Sequence, residues 1–122
     1  MDGAWQAGLV LVVSRFSVPE VDGDRFAERA RLAIAVLSKR PGFGWGRLGR
    51  AADDPTAWVL VTEWEHVGAW RRALSSYEVR LEASPLLGLA ADEPSAFEVL
   101  EAADALGQHS GSSDRADGAE LT

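Results

Sequence analysis

GWGRLG, residues 44–49, fits the pattern G-x-G-x-x-G, and how it is read decides the fold. As a phosphate-binding turn it needs a strand before Gly44 and a helix opening at Gly49, so that backbone N–H groups and the helix dipole meet a pyrophosphate. As a strand it needs neither, and its glycines mark places where another backbone or a large side chain comes close. Upstream, Phe26, Ala30, Ala33 and Leu37 recur at spacings of four, three and four, with Ile34 beside them. That is one face of a helix, offered Asp22 or Asp24 as N-cap and ended by Pro41-Gly42. Downstream, AADDP (51–55) is a polar turn. A helix precedes the glycines and a turn follows them, so the nucleotide reading fails on both sides. The segment reads as a strand with Gly44 and Gly46 on one face and Trp45 and Arg47 on the other.

The remaining elements follow outward. Leu9 to Val18 reads as a strand stopped by Pro19, and the apolar run Leu9–Val13 marks it as central and covered on both faces. Ala57 to Glu65 is a second strong strand, joined to the glycine strand as a hairpin. Val67, Trp70 and Leu74 predict a helix over 67–75. SSYEVRLEASPLL continues as a further helical piece broken by Pro85, LGLAADEP is a loop, and Ala96 to Leu100 is a last strand. From Asp104 onward, Gly, Ser, Asp and Ala lack periodicity, which predicts disorder. The expected organisation is a leader (1–8), one domain (9–101) and a disordered acidic tail (102–122). The order βαββαβ defines an α+β, ferredoxin-like domain: a four-stranded antiparallel sheet with helices on one face. The other face is expected to be apolar, with Val10 and Val12 among its residues, and to be covered by a second copy of the chain.

Composition excludes several classes. The 122 residues suit one domain and carry a net charge of −7, of which −3 lies from Asp104 onward. A polyanion would be repelled overall, and no basic stripe with interleaved aromatics exists, so nucleic acid is not an expected partner. The absence of cysteine removes disulfides, thiolate catalysis and cysteine-ligated metals, and fits a reducing cytoplasm. The longest apolar run, Leu9–Val13, is too short to span a bilayer, and no start resembles a signal peptide; a cytoplasmic protein without a membrane partner is expected.

RPGFGWGRL (40–48), DDPTAWVLVTEWEHVGAW (53–70) and AFEVL (96–100) together resemble the antibiotic biosynthesis monooxygenase family, a branch of the dimeric α/β-barrel group. The resemblance covers roughly residues 9 to 101. It implies a homodimer whose two sheets meet as a barrel, with a pocket between each protomer's own sheet and helices. Some members oxidise polycyclic aromatic phenols with molecular oxygen and no cofactor; others bind and cleave haem; many have no assigned reaction. The haem branch uses an Asn, a Trp and a His where this chain has Ser14, Ala73 and Ala83, so haem is not expected, nor any other cofactor. The resemblance implies a cofactor-independent monooxygenase, an oxidoreductase acting on an aromatic, polyketide- or quinol-like molecule. The alternative is a non-catalytic homodimer that binds a small hydrophobic ligand or serves as an accessory subunit.

Cofactor-free oxygenation needs an electron-rich substrate, an apolar aromatic wall, a polar contact on one oxygen and exclusion of water. Trp45, Trp64, Trp70, Tyr77 and Phe16 are candidate walls; Ser14, His66, Arg72 and Tyr77 are candidate polar contacts. The substrate-binding set is therefore Ser14, Trp64, His66, Trp70, Arg72 and Tyr77. Each has a plain alternative. Trp64 is in phase with Trp58, Leu60 and Thr62, which is a core pattern, and Trp70 lies on the Val67/Leu74 face. Tyr77 reads equally as a half-buried ring, Ser14 as a satisfied hydroxyl, His66 as a neighbour of a helix start, and Arg71 and Arg72 as a solvated face. Glu63 and Glu65 share a strand face without a partner that would make a metal site, and no serine sits in a G-x-S-x-G setting.

Overall fold

The computed structural model describes residues 8–111. The expected leader, except for its last residue Gly8, and the tail beyond 111 lie outside the described residues. Strand β1 (Val10–Ser17) is followed by a 3-10 turn, helix α1 (Gly23–Leu37), strands β2 (Phe43–Ala51) and β3 (Asp54–Trp64), helices α2 (Val67–Ser75), α3 (Tyr77–Glu82) and α4 (Ser84–Leu87), and strand β4 (Ala96–Glu98). The four strands form one antiparallel sheet in the order β2-β3-β1-β4. This is the ferredoxin-like arrangement; the sheet is open and does not close on itself as a barrel.

Alternation along the strands sorts the residues. Val10, Val12, Ser14 and Phe16 of β1 pair with Trp64, Thr62, Leu60 and Trp58 of β3, and all are buried under the helices. Helix α1 covers them with Phe26, Ala27, Ala30, Ala33, Val36 and Leu37. The fully buried Ala30 and Ala33 let this helix lie close on the sheet, while Phe26 packs between Phe16 (ring centroids 4.9 Å apart) and Trp58 (5.2 Å). Asp22 stands at the N-cap of α1, but its side chain makes no capping bond.

All three glycines of the opening motif lie inside β2, and α1 precedes them. No phosphate turn exists there. The junction depends on Gly42, just before the strand. Its φ is +88°, its carbonyl accepts from Glu65 N at 2.8 Å, and a side chain there would collide with the Ala69 methyl group. The expected alternation along β2 holds in part. Trp45 and Arg47 share the outer face, the Arg47 guanidinium resting 5.1 Å from the Trp45 ring centroid. Gly44, however, is the extra residue of a bulge, where a Cβ would lie 3.0 Å from Glu63 O, and Gly46 returns to the helix face opposite Thr62.

Three further expectations are corrected. Val10 and Val12 do not belong to the open face: they sit in the core, and the open face is made by their neighbours Leu11 and Val13 with Val59 and Val61 of β3. The apolar run Leu9–Val13 conceals the phase because both faces take aliphatic residues. The helix expected over 67–75 is found, but the piece after it does not run unbroken to Pro85: it divides at Ala83, and Pro85 lies in the first turn of α4. The Ser76 hydroxyl donates to Ala73 O at the end of α2 and accepts from Val79 N at the start of α3, whereas Pro85 opens α4. Finally, the chain after β4 keeps regular structure through residue 110. Strands β5 (Glu101–Asp104) and β6 (Gly107–Ser110) form a hairpin whose turn is held by the Asp104 carboxylate, which accepts from Leu106 N and Gly107 N at 2.8 and 3.1 Å. Glu101 accepts from Gln108 and Ser110 across it. Polar cross-strand pairs, not an apolar period, specify this hairpin.

Candidate functional site

The chain from Gly88 to Ser95 decides where a ligand can enter. It leaves α4 and runs beside β1, tied by Ala91 N to Arg15 O (2.8 Å) and by Val13 N to Ser95 O (2.7 Å). Between these ties it stands off from the sheet as a strap. A half-open cleft of about 460 Å³ lies under it, walled by Ser14 from β1, Trp70 and Leu74 from α2, Leu87 from α4, and the strap itself. The cleft is mainly apolar. Asp92, Glu93 and Ser95 from the strap supply its polar side.

Ser14 is 7% exposed, and among the described residues its hydroxyl makes no hydrogen bond. In this cleft it is available to a ligand oxygen. Trp70 presents its ring to the cleft and is backed by Trp64, whose ring centroid is 5.5 Å away, and Trp64 in turn meets Phe43 edge-on at 5.3 Å. Trp64 is fully buried, and its indole N–H donates to Thr62 Oγ1 at 2.9 Å. It holds Trp70 in place but does not face the cleft.

The other candidates lie elsewhere. His66 is the N-cap of α2, its Nδ1 accepting from Ala69 N at 3.1 Å. Arg72 is exposed on the same helix, with its guanidinium over Gly68. Tyr77 opens α3 and is 75% exposed, so the expected half-buried ring is not found. The structure thus brings Ser14 and Trp70 together, places Trp64 behind them, and leaves His66, Arg72 and Tyr77 outside. It adds Asp92 and Glu93, which LGLAADEP disguised as an ordinary polar loop. Glu65 is exposed, while the Glu63 carboxyl is half-buried on the open face, where desolvation pushes it above the usual carboxylate range and a hydrogen bond from Trp45 opposes the shift. Among the described residues no group of three or more His, Cys, Asp or Glu side chains is placed to hold a metal ion, and no helix is long and apolar enough to cross a membrane.

A four-stranded antiparallel sheet with helices on one face and an apolar, tryptophan-walled cleft beside them defines the class: a small ferredoxin-like α+β protein. The profile of the antibiotic biosynthesis monooxygenase family matches residues 9–81, and the chain belongs to that family. Among solved structures it is similar to a variant form of SnoaB, a cofactor-independent oxygenase from Streptomyces nogalater. The two are 27% identical over 76% of this chain and 94% of that one, with a TM-score of 0.61. It also shares its fold with a Deinococcus radiodurans protein proposed to be an antibiotic biosynthesis monooxygenase (17% identity, 80% and 99% covered, TM-score 0.66). Rv0793 from Mycobacterium tuberculosis has the same fold (15% identity, 80% and 99% covered, TM-score 0.62). A comparison of the sequence with curated proteins finds no match.

Proposed function

We propose that this protein is a cofactor-independent monooxygenase acting on an aromatic, polyketide- or quinol-like molecule bound in the Ser14–Trp70 cleft. The observation that carries the reading is the Ser14 hydroxyl, without a hydrogen bond among the described residues, lining one cleft with the Trp70 ring, in a chain 27% identical to a cofactor-independent oxygenase. The chemistry needs no group from outside the substrate and oxygen. With an anthrone, loss of a ring proton gives the enolate, which passes one electron to oxygen. The resulting radicals combine as a peroxide, and loss of water leaves the quinone. One molecule of oxygen is consumed, one atom entering the product and one leaving as water. In this reading Trp70 stacks on the ring system, Ser14 donates to the oxygen that gains negative charge, and the strap limits water. The reading includes a cytoplasmic location, with which a chain without cysteine is compatible.

The same reading makes the protein a homodimer. Leu11, Val13, Val59 and Val61 form a half-buried aliphatic patch on the open face of the sheet, bordered by Trp45 and Phe97. Two such faces would need to bury about 1,000 Å² or more for a stable pair.

Oxygen uptake with a panel of anthrones and hydroquinones tests the activity. Uptake and quinone should appear in equal amounts, and Trp70→Ala should lower kcat/KM by about a hundredfold, the order expected when a ring is no longer held in place. A panel that never exceeds the buffer rate would sink the enzyme reading. One observation favours the alternative of a non-catalytic ligand-binding protein: among the described residues no His or Tyr lines the cleft, His66 being used as a cap and Tyr77 facing solvent. Tight ligand binding without turnover would select it.

A further inference from the structure

The cleft has a charge as well as a shape. Among the described residues its charged lining is Asp92 and Glu93, both on the strap, with no Lys, Arg or His. The strap is pinned to β1 on either side of this pair, at Ala91 and at Ser95, so the two acidic side chains stay at the rim. Arg15 approaches Glu93 from outside, Nε to Oε2 at 3.6 Å, but both side chains are well exposed, which makes the pair weak and leaves it at the edge of the cleft. Asp92 has no ion-pair partner among the described residues. Deeper in, the hydroxyl of Ser14, a residue 7% exposed, is open to a hydrogen bond and carries no charge. A ligand therefore meets an aromatic wall, one neutral hydrogen-bonding group at depth, and negative charge where it enters. The chain as a whole, at −7, adds to the same field.

We infer that Asp92 and Glu93 are specificity-determining residues that make the cleft select aromatic molecules bearing an ammonium group over their carboxylated counterparts. This rests on the cleft being the ligand site but not on its catalysing a reaction. A carboxylate held near Asp92 would find no cation in the described lining, the nearby Arg15 being engaged with Glu93 at the edge, and would be repelled most by Asp92. An ammonium group at the same place gains both attractions. Neutral rings fall between. Asp92 carries the larger share because Arg15 already engages Glu93.

Calorimetric titration under nitrogen, where no turnover is possible, tests the inference with three matched probes: 6-(aminomethyl)-2-naphthol, 2-naphthol and 6-hydroxy-2-naphthoic acid. The amine should bind at least about tenfold more tightly than the acid, with 2-naphthol between them, and the spread should shrink as salt is raised. Asp92→Asn should remove most of it, and the Asp92→Asn/Glu93→Gln double variant should bring all three probes to within about twofold. These are solvent-facing strap positions, and the salt series on the unaltered protein gives a second readout that needs no variant to fold. Equal or tighter binding of the acid, a spread that survives in the double variant, or binding of none of the probes would overturn the inference. A chain with this ordering and no oxygen uptake would keep the charge selection and lose the monooxygenase.

Discussion

The two faces of the sheet carry nearly the same aliphatic residue types and have opposite fates. On the helix side, Val10, Val12, Leu60 and Trp64 are almost wholly buried. One residue along in each strand, Leu11, Val13, Val59 and Val61 are half-buried, with Trp45, Arg47 and Glu63 between and beside them. The closed face uses its large rings as internal supports: Phe43, Trp64 and Trp70 form a line of edge and tilted contacts that ends at the cleft wall. The open face mixes rings with charge, Arg47 over Trp45 and Glu63 beside it. The first face holds the shape of the domain, and the second is the one the proposed dimer would use. Burial, not residue type, separates them.

The sharpest way to probe this contrast is to remove its inner support. Trp64→Ala should lower the unfolding free energy, measured in urea, by about 3–5 kcal/mol, because a fully buried ring is lost together with its bond to Thr62. A loss below about 1 kcal/mol would mean that the aromatic line is not a structural element. On the open face, Val61→Arg should barely alter the stability of the isolated chain, by about 1 kcal/mol or less, yet sedimentation should fall from a dimer to the single-chain mass. An unaltered dimer would move the contact to another surface. The smallest effect concerns Glu63. Its folded carboxyl releases its proton at higher pH than the unfolded one, so the folded state binds more protons just above the ordinary glutamate range. Stability therefore falls as pH rises through that window and stays lower above it. Glu63→Gln should recover less than about 1 kcal/mol near neutral pH, since the group is largely solvated, and the gain should vanish in acid below both values. A gain that persists in acid would assign the effect to packing instead.

Local patterns reach a long way into this molecule. The helical spacing from Phe26 to Leu37, the Val67/Trp70/Leu74 face and the in-phase Trp58–Trp64 strand all appear as their periods predict. Reading Gly44 to Gly49 as strand was enough to set aside a phosphate turn, because helix and sheet signals depend on neighbours close in the chain. Where periodicity is silent the sequence misleads. The aliphatic run in β1 has no contrast between its faces, so Val10 and Val12 could be assigned to either. The hairpin at 101–110 rests on carboxylate and hydroxyl pairs rather than an apolar stripe.

The candidate site shows the same division more strongly. Ser14 and Trp70 were visible as residues with chemistry to offer, and so were Trp64, His66, Arg72 and Tyr77; nothing in their spacing distinguishes the groups. Chain order alone establishes the strand and helix sequence, and with it the family's sheet, since those follow from local period and turn chemistry. Which side chains share a cleft is settled when a loop from one end of the chain is tied across a strand from the other. The bonds from Ala91 and Ser95 to β1 bring Asp92 and Glu93 over Ser14 across some eighty positions of sequence, and a contact at that separation exists only once the sheet has formed.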